Sequence, residues 1–307
     1  MWKPLGLIVL LAVTACMFAL GTIHVFHAFT SNKVVADDQS PVVAVATPSA
    51  PLAGGTAPVA SSTVSSPDSE KVAVTIELPE LNPLLIDCYR NLERSIQKLR
   101  KIEGYTARWV RQIRKYGSVR DEEHVDIKIR HEPFGVHMNW LDGSQQVLFV
   151  EGQSDNKLLA HKSRGFASLR PVWRLPPDSR LAMKDSRYPV TQLGMLRLAE
   201  RLKRVVAEFP VNGAVEAEIT TSEFEGRPCI RQFVKFGSPV EQPDYALSDL
   251  LIDQDTYALV SITNHGWTEG GTGSEFVEHY RYENINWQAQ LTDSDFDERN
   301  EAYPFAH

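Results

Sequence analysis

The sequence predicts an α+β fold: a curved antiparallel sheet, shaped as a half-open β-barrel, with helices packed in its mouth. Three observations predict it. Two segments place apolar residues at three- and four-residue steps, the other segments alternate with a period of two, and turn residues separate the alternating segments. Their order is helix, strands, helix, strands. That order suits an antiparallel sheet with its helices on one face better than a parallel α/β arrangement. The folded part is expected over 79–307, behind an N-terminal segment 1–30 and a linker 31–78.

The first helix is read from Leu85, Cys88, Leu92, Ile96, Leu99 and Ile102, which form one apolar stripe, with Arg90, Glu93, Arg94, Lys98 and Arg100 off it. Gly104 is a natural stop. From Tyr105 to Arg114 the residues alternate: Tyr105, Ala107, Trp109 and Ile113 mark one face, and Thr106, Arg108, Gln112 and Arg114 the other. His124 to Arg130 alternates more cleanly, and strands are expected at Phe134 to Leu141, Gln146 to Glu151 and Lys157 to His161. Glu132-Pro133, Asp142-Gly143-Ser144 and Asp155-Asn156 separate them, as in an antiparallel meander.

Leu193, Leu196, Ala199, Leu202 and Val206 predict a second helix, with Pro189 near its start and Thr191 as the expected cap. Strands then resume at Ala214 to Ser222, Arg227 to Phe236, Tyr245 to Ile252, Ala258 to Asn264 and Glu275 to Asn286.

The N-terminal segment has a different character. No charged residue lies between Leu5 and Phe29, and about 20 apolar residues suffice to span a bilayer. Lys3 precedes the run, and Asp37 and Asp38 follow it. The reading taken is an uncleaved transmembrane anchor with the folded part extracytoplasmic, that is, periplasmic and single-pass. Two alternatives stay open: a lipoprotein signal at Cys16, within Val13-Thr14-Ala15-Cys16, and a cleaved signal ending at Val34-Val35-Ala36. From about Thr30 to Glu70 the chain is rich in Ala, Val, Pro, Ser, Thr and Gly without an aromatic residue. It reads as a disordered tether with a reach of roughly 35–40 Å.

Composition excludes some functions. A net charge of -7 argues against a nucleic-acid binder, which needs a basic surplus to neutralise phosphates. The 3 cysteines, Cys16, Cys88 and Cys229, lack the paired spacing of a zinc site and are too few for a disulfide scaffold. Whether Cys88 and Cys229 pair stays open, with buried free thiols favoured. The 9 histidines show no metal-ligand spacing within the folded part. There is no nucleophile elbow, phosphate-binding loop or H-E-x-x-H helix. Gly270 to Ser274 reads as a hairpin loop, since no helix follows to face an anion. Asp253 and Asp255 resemble paired carboxylates, but turn formation explains them. No catalytic residue, metal ligand or cofactor is assigned, and an enzyme is not expected.

Several short motifs occur in a familiar order. These are Glu103-Gly104-Tyr105-Thr106-Ala107, Ile129-Arg130 with Pro133-Phe134 and Trp140, Val150-Glu151-Gly152, and Leu181-Ala182-Met183 with Ser186-Arg187-Tyr188-Pro189-Val190-Thr191. Tyr282-Glu283-Asn284-Ile285-Asn286, Asp295-Phe296-Asp297 and Tyr303-Pro304-Phe305 close the series. Together, over roughly Asn82 to Phe305, they resemble a bacterial domain-of-unknown-function family, numbered 1571 and common in planctomycetes. That family is similar to the lipoprotein-sorting proteins LolA and LolB. The resemblance implies an incomplete antiparallel barrel lidded by helices, a LolA-like fold that holds acyl chains, and the turn at Asp253 to Thr256 is similar to one in that superfamily. It implies no catalytic residues.

The expected site follows from these readings. Trp109, Ile127, Ile129, Met138, Trp140, Phe233 and Trp267 are the candidate lining of an apolar cavity, although residues of this kind also fill cores. The densest basic region runs from Arg100 to Arg120. In it Arg108, Arg111 and Arg114 are candidate contacts for anionic headgroups, against the alternative of a solvated face balanced by Asp121, Glu122 and Glu123. The expected partners are the membrane, through the anchor, and a lipid or lipoprotein acyl chain. The expected function is non-enzymatic binding of an apolar ligand. The alternative is a protein-interaction or envelope-structural module with a self-filled core.

Overall fold

Asn82 starts the first helix: its side-chain oxygen accepts the Leu84 backbone N–H, and Pro83 occupies a first-turn position that needs no donor. A single 3₁₀ turn, Pro83–Leu85, runs into α1 (Ile86–Leu99). In the computed structural model, residues 80–164 and 172–306 are described. Val72–His307 forms one compact unit. It contains the sheet, both helices and the apolar clusters, which is what a unit needs to fold on its own.

The strands of the first half are β1 (Gly104–Lys115), β2 (Ser118–Val119), β3 (Glu123–Arg130), β4 (Gly135–Trp140), β5 (Gln145–Val150), β6 (Leu158–Lys162) and β7 (Trp173–Leu175). After α2 (Met195–Glu208) come β8 (Val215–Phe224), β9 (Arg227–Phe236), β10 (Leu247–Asp253), β11 (Leu259–Trp267) and β12 (Ser274–Asn286). They form one 12-stranded sheet in the order β7-β6-β5-β4-β3-β1-β12-β11-β10-β9-β8, with β2 attached to β1. Neighbouring strands are antiparallel, and β7 and β8 are open edges, so the barrel does not close. Register shifts in the β1–β12, β10–β11 and β11–β12 ladders bend the middle of the sheet, since each extra residue adds local twist.

Each strand face has its own cover. Leu92, Ile96 and Leu99 of α1 and Met195, Leu198 and Ala199 of α2 share one apolar cluster with Tyr105, Ala107, Trp109 and Ile113 of β1. The helices therefore lie on the concave face. On the opposite face, Leu148, Val150 and Leu159 pack against Phe296, Tyr303 and Phe305 of the segment after β12. A third cluster joins Leu85 and Cys88 to Phe209, Val234 and Phe236.

The differences from expectation are local. β2 and β7, of 2 and 3 residues, are too short to show a period. Thr191 does not cap α2; it lies in a 3₁₀ turn, Val190–Gln192, and Gly194 is the N-cap, in a backbone conformation (φ 102°, ψ 156°) that suits glycine. Met195 N–H, at the start of α2, is satisfied instead by the Tyr105 hydroxyl oxygen at 3.0 Å. The expected single-pass membrane localisation is corrected: among the described residues no helix is long and apolar enough to cross a membrane. The apolar run 5–29 and the linker 31–78 lie outside the described residues.

Candidate functional site

On β1 the odd-numbered residues face the helices, which puts Arg111 on the same face as Trp109 and Ile113. Arg111 is only 7% exposed, and its guanidinium carbon lies 5.5 Å from the Trp109 ring centroid and 5.6 Å from that of Trp140. Its Nε donates to Glu123 Oε2, which also accepts Trp140 Nε1–H at 3.1 Å. Trp109 stacks on Tyr280 of β12 at 5.4 Å, and its own indole N–H is buried without an acceptor among the described residues.

These side chains border a cavity of about 620 Å³. Its floor is the concave face: Trp109, Met138, Trp140, Val147, Leu158, Ala160, Trp173, Leu175, Tyr280 and Tyr282. Leu198 and Arg201 of α2 close one side. The rest of the wall is the strap between β7 and α2, with Leu181, Ala182, Met183, Tyr188, Val190 and Leu193.

Polar contacts hold the strap down. Lys115 Nζ donates to the carbonyls of Met183 and Ser186, the latter at 2.7 Å, and the Tyr116 hydroxyl donates to Lys184 O at 3.2 Å. Burial pulls the Lys115 ammonium below the ordinary lysine range, against the opposing pull of Asp185. Further along, Tyr188 donates to Glu278 Oε1 at 2.9 Å, Tyr245 to the same oxygen at 3.1 Å, and Asn264 Nδ2 at 2.7 Å. The two tyrosine hydroxyls also touch each other. Arg187 brings Nε within 2.8 Å of Glu278 Oε2, an ion pair without hydrogen-bond alignment, and Tyr280 donates to that oxygen at 3.3 Å. Glu278 is fully buried. Burial, reinforced by the Glu278 charge, pushes the Tyr188 and Tyr245 hydroxyls above the usual phenol range, so both remain donors.

The sequence-derived candidates are dispersed. Trp109, Met138 and Trp140 line the cavity. Ile127 and Ile129 are in the core on the same face, 1% and 0% exposed, and Ile129 borders a different cleft of about 1080 Å³. That cleft carries Arg100, Glu103, Arg130, Glu132, Arg197 and Glu200, a charged lining that suits an apolar ligand less well. Phe233 is half-buried on β9 beneath Arg231, and Trp267 packs against the cluster of Leu85, Cys88 and Phe236, with Nε1 donating to Gln242 O at 2.7 Å.

The three candidate arginines do not form one patch, because strand alternation turns Arg111 to the opposite face from Arg108 and Arg114, and those two are each engaged by a carboxylate. Arg111 points inward, whereas Arg108 pairs with Asp126 at 3.1 Å, and Arg114 donates to Phe276 O at 2.9 Å and pairs with Glu275 at 3.3 Å. Among the described residues, no group of three or more His, Cys, Asp or Glu is placed to hold a metal ion. Cys88 and Cys229 are buried free thiols in different clusters. Asp253 organises a turn, accepting from Thr256 N, Thr256 Oγ1 and Asp255 N at 2.7–3.2 Å. Sequence reasoning missed Tyr188, Arg201 and Glu278. The parity of Arg111 with Trp109 was the one available signal for an inward charge.

Among solved structures, the chain is similar to lipoprotein LppX of Mycobacterium tuberculosis, at 14% identity over 67% of this chain and 98% of that one, with a TM-score of 0.36. It is also similar to an outer membrane lipoprotein-sorting protein domain from Vibrio parahaemolyticus (10% identity, 68% and 97% coverage, TM-score 0.33). A third likeness is to a DUF1329 family protein from Desulfovibrio piger (10% identity, 68% and 96% coverage, TM-score 0.35). No curated protein matches the sequence. The model of the family described as "Protein of unknown function (DUF1571)" matches residues 102–305, and the chain belongs to that family.

Proposed function

We propose that the chain is a binding protein whose cavity holds an acyl chain or a similarly slender apolar ligand. The observation that carries this reading is the cavity between the concave face, the strap and α2. At about 620 Å³ it falls within the roughly 300–1,000 Å³ common for small-molecule sites, and Trp109, Met138, Trp140, Leu158 and Leu175 make its lining mainly apolar. The groups around it support binding over chemistry. Glu278, the buried carboxylate nearest the strap, is engaged by Arg187, Tyr188, Tyr245, Asn264 and Tyr280, which leaves it no free position for a proton transfer.

Native mass spectrometry of residues 72–307, purified without detergent from an expressing bacterium, tests the reading. A co-purifying small molecule released by mild activation is the expected result. An apo mass with no uptake of added palmitate would overturn it in favour of an interaction module.

A further inference from the structure

We propose that the cavity's ligand carries an anionic head, a carboxylate or phosphate, and that Arg201 receives it. This rests on the reading of the cavity as a site for an apolar chain and names the chemistry at one end of that chain.

Arg201 borders the cavity from α2, half-buried, with its guanidinium carbon 3.7 Å from the Tyr188 ring centroid. Among the described residues it makes no hydrogen bond and no ion pair. Its neighbours on α2 differ: Arg197 reaches Glu151 and Glu200, and Lys203 pairs with Glu93 at 3.1 Å. The inward arginine of β1, Arg111, has Glu123. Arg201 therefore faces the cavity with its donors unused. A partly desolvated guanidinium without a partner is unfavourable, and an anion supplied by the ligand relieves it.

The support beneath Arg201 is fixed. Tyr188 is held through its hydroxyl by Glu278 at 2.9 Å, so the ring that carries the guanidinium does not swing. Stacking occupies the flat face of the guanidinium and leaves its N–H edge free, the edge that engages a carboxylate or phosphate in bidentate fashion.

The charge of the wall points the same way. The chain as a whole is acidic, at -7, yet among the described residues the charged groups that line the cavity are Arg111, Lys162, Arg164, Lys184 and Arg201 with Asp185, and of these cations Arg111 and Arg164 are offset by Glu123 and Asp142 behind the wall. Asp185 is itself within 3.5 Å of Lys162. An apolar floor with a cationic wall fits an anionic amphiphile. A neutral chain of the same length would leave Arg201 unpaired.

The experiment measures affinities on the full chain and, in parallel, on residues 72–307. The probes are palmitate, cetyl alcohol with the same chain length and no charge, palmitoyl lysophosphatidate, and inorganic phosphate alone. Palmitate and lysophosphatidate are expected to bind about 10- to 100-fold more tightly than cetyl alcohol, the range for a hydrogen-bonded ion pair in a partly dry site. Whichever of the two is tighter identifies the head. Arg201→Gln is expected to remove that preference, read as the ratio of palmitate to cetyl alcohol affinity within the variant, so that a general change of the wall cancels.

Equal affinity of the native protein for palmitate and cetyl alcohol would overturn the assignment while leaving the apolar-chain reading intact, and it requires no variant to fold. A preference that survives in Arg201→Gln would also overturn it. Inorganic phosphate binding as tightly as lysophosphatidate would replace it with a free-anion site. Failure of every chain-bearing probe would remove the reading on which it rests.

Discussion

The ring of His137 lies on that of Tyr303, centroids 4.1 Å apart and planes within 14° of parallel, so the segment after β12 is fastened to the face of β4 that points away from the helices. Burial pushes His137 down from 6.5 to about 4; the Gln146 amide oxygen at 3.2 Å and the Asp295 charge oppose the shift, and the Lys128 charge adds to it. Between those two values the unfolded chain takes up a proton that the folded chain refuses. Stability is therefore full above about pH 6.5, falls as pH drops towards about 4, and changes no further from this group below that. The whole window is worth about 3 kcal/mol. His131 and His279, also lowered by burial, act in the same direction. The urea midpoint of residues 72–307 should fall on acidification through this window, and His137→Phe, which keeps the stack, should flatten the slope.

Glu278→Gln should loosen the strap. The amide keeps the shape but removes the charge opposite Arg187 and turns one acceptor into a donor among the hydroxyls of Tyr188, Tyr245 and Tyr280. A loss of about 2–4 kcal/mol is expected, at or below the cost of breaking a fully buried pair because Arg187 is itself part-exposed. Amide exchange at 183–193 should quicken more than exchange in β3 or β4. Uniform quickening would mean that Glu278 supports the whole sheet rather than the strap.

Gly194→Ala should destabilise the start of α2. At φ 102° a side chain is strained, and a Cβ would stand 3.0 Å from Ile129 Cδ1 and 3.3 Å from the Tyr105 hydroxyl that accepts the first helical N–H. The expected cost is about 1–3 kcal/mol in chemical denaturation. An unchanged midpoint would show that the helix starts elsewhere.

Ala160→Phe should block the cavity. The residue is on β6 among the lining side chains, so a phenyl ring there occupies ligand volume. Palmitate uptake should drop at least about tenfold, equivalent to about 1.4 kcal/mol, and because Ala160 is itself buried the folding midpoint is measured alongside so that uptake is compared on folded protein. Uptake at the native level would move the ligand to another surface.

Cys88 and Cys229 should resist alkylation in folded 72–307 at mildly alkaline pH. Burial pushes the Cys88 thiol up to about 11 and also raises Cys229, so neither forms the reactive thiolate. Both should react once urea unfolds the chain. Rapid labelling of either in the native state would contradict its burial.

Much of the fold is written locally in the sequence. The stripe from Leu85 to Leu99 is amphipathic, and the alternation from His124 to Arg130 needs no distant partner to be recognised. The site is not local. Tyr188 and Glu278 meet across 90 residues, and Glu278 reads as an ordinary polar position until β12 is placed beside β1, where it stands opposite Ile113 on the apolar face. The strap has no period, so Leu181 and Met183 belong to no element that a pattern could define, and Leu193, which opens the apolar stripe expected for the second helix, lies just ahead of α2. Arg111 shows the conflict plainly: its parity with Trp109 points inward, while the run of cations around it points to solvent.

The central ladder also constrains the order of assembly. β3 to β7 form one chain of neighbours and β8 to β11 another, each connected mainly through contacts between successive strands. Within the sheet of the described residues, the pairing of β1 with β12, as in Val110 with Arg281, joins the two, and the apolar cluster under the helices spans both. That pairing closes a long loop, and such closure is slow compared with hairpin formation. On a ribosome, the first meander is made and waiting with one edge of β1 bare until β12 is synthesised. The newborn chain thus carries an unpaired, β-prone edge for most of its translation, and this is the interval in which a holding chaperone would act on it.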